Sequence, residues 1–563
     1  MPPPVASLAR SFATPEAAWR VWAALRRLAG RLEAHYRLVL GAFVVLQWCG
    51  LLALALAARH NGWLYYHGGD GTWYWSDAWA LGHFRLPYGA IGYGIPYLWA
   101  PAGAVLGPSL LSGLPFVILL DGLVLVPLAL LLFYGVAERI AGRLFGLVAA
   151  AAWLVVPLLA YRMFRADYRP RLLDNFLPGA WGLNTLGDFT SMVACLAAAL
   201  FALRALDNRA RTDTLLAGLL AGFAVGIKPA NALFLPAPAR ALLVARRYRH
   251  LLVYGLGVVP ALVALAVWKQ RGLGELPILG SYGVAHLAAG QLPVAGLPGP
   301  FSRYHGLDWH QIEVQMKELR EIFWSKTLLE WGAFAGTFAL LRRDLAKGLL
   351  VASWFWAFLL VKGGSSIASV YATTFFRLLV PAYPAFLLLA VASAALLFPR
   401  GGRAPEPPPS PRPVGRRSAA AAAVLLGILP LLLVGVARPA KAGSFAHGLS
   451  SGVEAPVVPL GVRVRVTDGA VRLSWPAHTS RRATLTYRVF RGSSPGEDCA
   501  LLSGVPDCYV YSPSVGNLTT TTFVDRPQAG TWVYRVAVTG SWDRSPADAD
   551  VLLLSPPVTV TVR

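Results

Sequence analysis

Eleven apolar segments, each long enough to cross or deeply enter a lipid bilayer, constrain this chain more than any other feature. They lie near residues 38–58, 112–135, 144–161, 186–205, 214–227, 230–244, 251–268, 323–341, 348–362, 376–398 and 419–438. The chain is 56% apolar and only 14% charged, whereas average soluble proteins carry about 25% charged residues. This composition excludes an ordinary soluble enzyme and predicts a mainly α-helical polytopic membrane protein.

The positive charge is distributed as a topology signal. Lys and Arg number 51 against 28 Asp and Glu, a formal net charge of +23. With the amino terminus in the cytoplasm, every predicted inner loop holds a basic cluster: Arg139/Arg143, Arg204/Arg209/Arg211, Arg246/Arg247/Arg249, Arg342/Arg343/Lys347 and Arg400/Arg403/Arg412/Arg416/Arg417. We therefore assign the excess charge to topology and to lipid or phosphate contacts, and a nucleic-acid partner is not expected.

The segment 214–244 decides the topology of everything that follows it. A single helix here would invert the later spans, whereas two short helices meeting at Lys228-Pro229 return Arg246 to the inner side. Proline disrupts the helical hydrogen-bond ladder, so the sequence favours the second arrangement. It also places the carboxy-terminal domain outside the cell.

Composition divides the chain into five regions. We expect a basic amphipathic cytoplasmic segment at 1–37, a multi-spanning membrane domain at 38–400, a Pro-rich cytoplasmic linker at 401–417, a last transmembrane helix at 418–438 and an extracytoplasmic domain at 456–563. The first of these lacks an early apolar core and a small-residue cleavage site, so a cleaved signal peptide is not expected.

The tail from 456 onward has a different pattern. Period-two apolar residues between Gly, Pro, Asp and Ser clusters predict a small all-β sandwich. Cys499 and Cys508 bracket a short polar loop, and such a pair favours a disulfide in an oxidising compartment. The motifs LSW (473–475), YRVFR (487–491), TTFVD and TWVYRVAV resemble a fibronectin type III domain, with Tyr534 at the position of that family's corner tyrosine. The resemblance implies a binding or spacer module.

The first outer loop, 59–96, contains the leading catalytic candidate. Asp70 lies in a Gly-Gly-Asp-Gly turn, where a carboxylate can approach a substrate closely, and Asp77 follows it. Aromatic walls suit sugar rings or polyprenyl chains, and the substrate-cavity candidates are His67, Trp73, Tyr74 and Trp75. The alternative is an interfacial aromatic belt with Asp70 capping the next helix.

An acid soon after the first span, an aromatic outer loop and the later segment GLLAGFAVGIKPANALFLP (218–236) resemble a known enzyme family. It is that of the polyprenyl-phosphate-dependent membrane glycosyltransferases of the protein-mannosyltransferase and aminoarabinose-transferase type, in the glycosyltransferase C superfamily. The resemblance covers about residues 36–270. It implies that Asp70 is the catalytic base or acceptor-orienting group, and it matches Lys228 to a lysine at the outer tip of a span. Asp70 lacks the adjacent acid of the family pattern, and Asp77 is the candidate substitute.

Cations on the outer side are candidates for binding the donor phosphate. Lys228 sits at a broken helix within the apolar region, where a buried cation needs a polar partner; the alternative is snorkelling to the interface. Arginine suits bidentate phosphate binding, and the further candidates are Arg162, Arg165, Arg169, Arg171 and Arg377, with Lys362 beside the last of these. The loop arginines could instead pair with Asp167 and Asp174. Asp121 and Asp188 lie within spans, either lining a polar cavity or serving as structural carboxylates.

The stretch 301–324 combines histidines and acids without a standard metal-ligand spacing. We interpret it as an amphipathic helix on the membrane at the cavity mouth, with Ile312, Met316, Leu319 and Phe323 buried. No metal site and no certain cofactor are predicted from the sequence, although a divalent cation is possible as a cofactor.

The leading hypothesis is an inverting glycosyltransferase of the plasma membrane. It would transfer a sugar from a polyprenyl-phosphate donor to an extracytoplasmic acceptor, which is a glycan, lipid or protein. The alternatives are a transporter or flippase of a lipid-linked substrate, for which no inverted repeat is seen, and a non-catalytic anchor that displays the β domain.

Overall fold

The computed structural model describes residues 15–57, 70–87, 91–107, 110–183, 185–273, 308–323, 326–365, 368–396, 410–439, 458–480, 484–495, 509–541 and 550–563. Within those ranges some side chains, including those of Asp70 and Trp73, are outside the description. The described chain is mostly helical up to residue 436 and forms β-sheets after residue 462.

Nine helices and one short strand are found in the described residues up to 183. They are α1 (Pro15–Ala34), α2 (Tyr36–Ala57), α3 (Asp70–Gly82), β1 (Arg85–Leu86), α4 (Gly94–Gly103), α5 (Leu110–Leu119), α6 (Val126–Ala141), α7 (Arg143–Met163), α8 (Arg169–Asn175) and α9 (Leu177–Ala180). A π-helical turn, Leu120–Leu125, joins α5 to α6 and makes them one long rod.

The described residues between 185 and 439 contain eleven further helices. They are α10 (Gly187–Asn208), α11 (Arg211–Ile227), α12 (Pro236–Val244), α13 (Tyr248–Leu273), α14 (Trp309–Ile322), α15 (Lys326–Arg343), α16 (Leu345–Gly363), α17 (Thr374–Leu379), α18 (Tyr383–Leu396), α19 (Arg416–Ala423) and α20 (Leu429–Val436). A π-helical turn joins α19 to α20, so these two also form one rod.

In the described part of the chain, eight helical stretches are long and apolar enough to cross a membrane. They are 36–57, 112–141, 143–163, 187–208, 248–271, 345–363, 374–394 and 416–436. The protein is therefore a multi-pass membrane protein. The predicted count of eleven is not confirmed, because segments 214–227, 230–244 and 323–341 form helices that are too short or carry too many charges to meet the same standard.

The predicted break at Lys228-Pro229 is confirmed. Helix α11 ends at Ile227, and a 3₁₀ turn, Pro229–Phe234, leads into α12. After α12 the chain is back at the loop that precedes α11, because the Arg247 guanidinium donates to the Ala205 carbonyl and His250 Nε2 lies 3.0 Å from the Arg209 carbonyl oxygen. The two short helices thus form a hairpin, as the sequence analysis predicted.

The basic loops meet at one end of the helical bundle, called the basic end below. Lys347 Nζ lies 2.8 Å from Asp207 Oδ1, and Arg139 contacts the other oxygen of that carboxylate at 3.8 Å. The end of the Pro-rich linker joins them, since the Val414 N–H donates to Asp213 Oδ1 at 3.1 Å. This grouping is the one expected if all of these loops lie on the same side of the membrane.

The last rod runs from the basic end to the opposite end of the bundle. There β2 (Arg438–Pro439) pairs in parallel with β1, placing Arg438 opposite Arg85. The carboxy-terminal domain therefore leaves the bundle at the end opposite the basic clusters.

The carboxy-terminal domain contains two sheets. Its strands are β3 (Arg463–Thr467), β4 (Ala470–Ser474), β5 (Thr484–Pro495), β6 (Tyr509–Leu518), β7 (Thr522–Asp525), β8 (Gly530–Ser541), β9 (Asp550–Leu554) and β10 (Val558–Val562). One sheet has the order β3-β4-β7, the other has the order β10-β8-β5-β6, and β9 also pairs with β8. Apolar residues of both sheets, such as Leu473, Val489 and Val536, are buried in one core.

Candidate functional site

The structure gathers charged side chains around Asp188 at the end of the bundle opposite the basic clusters. Asp188 is the second residue of α10, and its side chain is only 5% exposed. Its Oδ1 accepts a hydrogen bond from Lys228 Nζ, and its Oδ2 accepts one from Arg377 Nε at 3.1 Å. Each carboxylate oxygen therefore faces a different cation, which is how a buried carboxylate is normally stabilised.

Lys228 reaches Asp188 because the helix stops one residue before it. Lys228 has an extended backbone (φ −139°, ψ 110°), and Pro229 has no N–H to continue the helical ladder. Asn231 stabilises the end of α11, since its side-chain amide donates a hydrogen bond to the Ala224 carbonyl at 2.8 Å. The ammonium of Lys228 is held by Asp188, and the Lys228 side chain as a whole stays 23% exposed.

Two more cations come from the helices that follow. Arg377 lies in the short helix α17, which begins after Thr373, a residue with a positive φ of 64°, and its side chain is 38% exposed. Lys362 lies in the last turn of α16, is only 3% exposed, and is within electrostatic range of both Lys228 and Asp188. The cluster of Asp188, Lys228, Lys362 and Arg377 is called the Asp188 cluster below.

The first outer loop borders the Asp188 cluster on two sides. A Cβ on Gly71, the residue after Asp70, would lie 1.9 Å from Thr185 Oγ1, so the first turn of α3 packs directly on the segment leading to Asp188. A Cβ on Gly92 would lie 2.3 Å from the Ile227 carbonyl oxygen, and a Cβ on Gly94 would lie 2.7 Å from the Ile227 nitrogen, in the residue before Lys228. Only glycine fits these two close backbone contacts. The backbone of Asp70 therefore lies near the cluster.

The structure buries three further candidates of this loop, Tyr74, Trp75 and Asp77. Asp77 is 4% exposed and is within electrostatic range of the buried Lys269 of α13. The ring of Trp75 is fully buried, and its Nε1 donates to the Gly107 carbonyl at 3.0 Å. Tyr74 is buried with its phenol next to Gly187, the neighbour of Asp188. His67 lies outside the described residues, as do the side chains of Asp70 and Trp73.

The arginine-rich loop between α7 and α8 is largely engaged with itself. Arg165 forms a two-point contact with Asp167, with Nε–Oδ1 2.6 Å and Nη2–Oδ2 2.8 Å, and both side chains are exposed. The hydrogen bond from Arg165 lowers the pKa of Asp167 below its ordinary value. Arg169 donates to the carbonyls of Phe164 and Arg162 and so caps the end of α7. The structure therefore brings Lys228 and Arg377 to Asp188 and gives Arg165 and Arg169 local partners, while Arg162 and Arg171 are exposed on the same loop.

Helix α14 covers this loop. Asp308 caps it by accepting from the N–H of His310 at 2.9 Å and of Gln311 at 3.2 Å. Of the predicted buried stripe, Leu319 and Phe323 are buried and share an apolar cluster with Phe164 and Val370 of neighbouring loops, whereas Ile312 and Met316 are only partly buried. Amphipathic periodicity alone does not distinguish a lipid surface from an apolar protein surface. Among the described residues no group of three or more His, Cys, Asp or Glu side chains is placed to hold a metal ion.

Comparison with known proteins gives a distant match. No protein-family model and no curated protein matches the chain. Among solved structures, the archaeal oligosaccharyltransferase AglB from Archaeoglobus fulgidus, in complex with an inhibitory peptide and a dolichol-phosphate, is similar to 74% of this chain at 13% identity and a TM-score of 0.38. The apo form of the Archaeoglobus fulgidus oligosaccharyltransferase matches 71% of the chain at the same identity and TM-score. In both cases the match spans 57% of the oligosaccharyltransferase. A likeness of this size carries no argument about activity, so function has to be inferred from the site itself.

Proposed function

We propose that this protein is a membrane glycosyltransferase that takes a sugar from a polyprenyl-phosphate donor and transfers it to an extracytoplasmic acceptor. The observation that carries the proposal is the Asp188 cluster, in which Lys228 and Arg377 converge on one buried carboxylate beside the buried Lys362. Cations held in fixed positions at the edge of an apolar bundle suit an anionic headgroup whose hydrocarbon chain lies in lipid.

The reaction needs charge stabilisation on one side of the sugar and a base on the other. An acceptor hydroxyl attacks the anomeric carbon, the bond from that carbon to the phosphate oxygen breaks, and the phosphate gains a negative charge as it leaves. Lys228 and Arg377 would stabilise that growing charge. Asp70, at the start of the helix that packs beside the cluster, would accept the proton of the acceptor hydroxyl. Asp77 would then serve to position α3 through the buried Lys269.

The phosphate-binding role is tested on the full-length protein with a short-chain polyprenyl phosphate. A hydrogen bond to a charged group contributes about 1.5–3 kcal/mol, so Lys228→Gln and Arg377→Gln should each weaken binding roughly 10- to 100-fold. Lys317→Gln and Arg320→Gln, which remove the same charges from the exposed face of α14, are the matched controls. Equal affinity in all five proteins would reject the cluster as the phosphate site.

The role of Asp70 is tested by replacing it with asparagine, which keeps the shape and removes the base. Asp70→Asn should fold normally and bind polyprenyl phosphate as before, but its rate of sugar transfer should fall about 10²- to 10⁴-fold. The measurement is transfer of radiolabelled sugar from polyprenyl-phosphate donors in membranes that contain the natural acceptor. Transfer at the parent rate would show that Asp70 is not the base.

We further propose that the carboxy-terminal domain is a fibronectin type III-like module outside the cell, with the basic end of the bundle in the cytoplasm. The two-sheet strand order supports the first assignment, and the grouping of the basic loops supports the second. The Cys499–Cys508 disulfide lies outside the described residues and stays a prediction of the sequence. A cytosolic location of a tag on the tail would overturn this topology.

A further inference from the structure

We infer that the tether between the last membrane helix and the carboxy-terminal domain positions the catalytic helix α3. This role rests on the transferase proposed above, since it concerns the helix that begins at Asp70. The tether strand is β2, Arg438–Pro439, which is far from α3 in sequence but adjacent to it in space.

Backbone contacts join the tether strand to the residues directly after α3. Arg438 pairs with Arg85 and Pro439 with Leu86, and the Arg438 N–H donates to the Phe84 carbonyl at 2.8 Å. Phe84 has a positive φ of 56°, which is unusual for a bulky residue and persists only where the surroundings hold it. The tether supplies such a contact, only two residues beyond the end of α3.

One turn of α13 ties the same elements together. The Arg271 guanidinium donates to the carbonyls of Val434 and Ala437, so it caps the last membrane helix where the tether begins. Three residues earlier, Trp268 Nε1 donates to the Ile91 carbonyl at 2.9 Å, in the loop that follows β1. Between them, Lys269 is buried near Asp77 of α3. The last membrane helix, where the tether begins, therefore contacts the same turn of α13 that lies near α3.

The domain beyond the tether also rests on α3. Strand β6, at the edge of the five-stranded sheet, lies against α3 and α5. Strand β2 and strand β6 thus both lie against α3 or the residues directly after it. A displacement of the domain, as on binding a wall polymer or another acceptor, would be transmitted through β6 to α3 and to Asp70.

A proline at position 438 tests this arrangement in the full-length protein. Arg438→Pro removes the N–H that donates to Phe84, and Ala437 already has the extended backbone (φ −57°, ψ 135°) that a following proline requires. Arg438→Ala keeps the N–H and is the matched control, because the Arg438 side chain is exposed. Arg271→Gln, which removes the cap on the last helix, is the second variant if the proline variant does not fold.

The readouts separate positioning from general damage. In Arg438→Pro we expect hydrogen exchange of the amides at 83–86 to rise at least tenfold and sugar transfer to fall about tenfold, while affinity for a short-chain polyprenyl phosphate stays within twofold of the parent. Arg438→Ala should match the parent in all three. The inference is overturned if exchange at 83–86 is unchanged in the proline variant, or if phosphate affinity falls along with transfer. If the parent protein binds no polyprenyl phosphate, the transferase proposal fails, and the exchange measurement alone then decides whether the tether holds the segment after α3.

Discussion

Replacing Asp188 by asparagine removes the carboxylate that Lys228 and Arg377 share. The substitution leaves two cations facing each other across a neutral amide. Removing one partner of a fully buried pair costs about 3–5 kcal/mol. Here the two cations are 23% and 38% exposed, so water compensates in part and we expect about 2–3 kcal/mol. With about 2.1 cal/mol/K of unfolding entropy for each of roughly 400 membrane-domain residues, this lowers Tm by about 3 °C.

The same variant should gain more than the parent from an anionic ligand. Without Asp188, the positive charge of Lys228 and Arg377 is less compensated, so a bound phosphate relieves more repulsion. Thermal unfolding with and without a short-chain polyprenyl phosphate measures both effects. Asp308→Asn is the control, because asparagine caps a helix as well as aspartate does. An Asp188→Asn protein that unfolds at the parent temperature, or that the phosphate stabilises less than the parent, would refute the account of Asp188 as a counter-ion.

Two further predictions concern contacts away from the cluster. Tyr534 is buried, and its hydroxyl donates to Asp525 Oδ2 at 2.8 Å. Tyr534→Phe should therefore destabilise the carboxy-terminal domain by about 1 kcal/mol, or roughly 4–8 °C in the melting of that domain. The exposed Thr559→Val is the control. Burial, and after it the nearby Asp525, raise the pKa of Tyr534 in the folded protein. The neutral phenol therefore contributes its full stability to the fold at any pH below the ordinary tyrosine pKa of about 10, and this contribution is lost as pH rises through the higher pKa of the folded state. The loss of stability in Tyr534→Phe, relative to the parent, should thus be constant from about pH 6 to 9. A loss that vanishes in that range would contradict the hydrogen bond. At the basic end, Asp213 is fully buried and accepts from Asn208 Nδ2 at 2.6 Å and the Val414 N–H at 3.1 Å. Asp213→Ala should release the end of the linker and speed trypsin cleavage at Arg412 about tenfold, and cleavage at the parent rate would show that Asp213 does not hold it.

The multi-pass helical fold and the break at Lys228-Pro229 could be predicted from the sequence because their signals are local and strong. Apolar length, the basic loops and Pro229 are read directly from consecutive residues, and the structure confirms the hairpin that they predict. The number of membrane spans could not be predicted in the same way. Helices α11 and α12 are short and are stabilised by packing against their neighbours, and a hydropathy pattern carries no information about that packing. The sequence pattern did not predict strand β6. It contains Pro513 and its pairing with β5 shifts register repeatedly, so it shows no clean alternation.

The candidate site could be predicted only in part. Lys228 was found because a cation in an apolar segment needs a partner, and the structure supplies Asp188. That Asp188 is this partner does not follow from the sequence, because α10 and the end of α11 meet only through the packing of the bundle. The same holds for Arg377 and Lys362, which come from helices late in the chain. The arginines of the loop after α7 behave differently. Their clustering in the sequence suggested phosphate binding, whereas in the structure Arg165 and Arg169 have partners within the loop itself.

The position of the lipid phosphate is the most direct test of the central claim. An experimental structure of the full-length protein with a bound polyprenyl phosphate should show the phosphate within hydrogen-bonding distance of Lys228 and Arg377, with the hydrocarbon chain leading into lipid. A phosphate bound at the arginines of 162–171 alone, or at the basic end of the bundle, would contradict it.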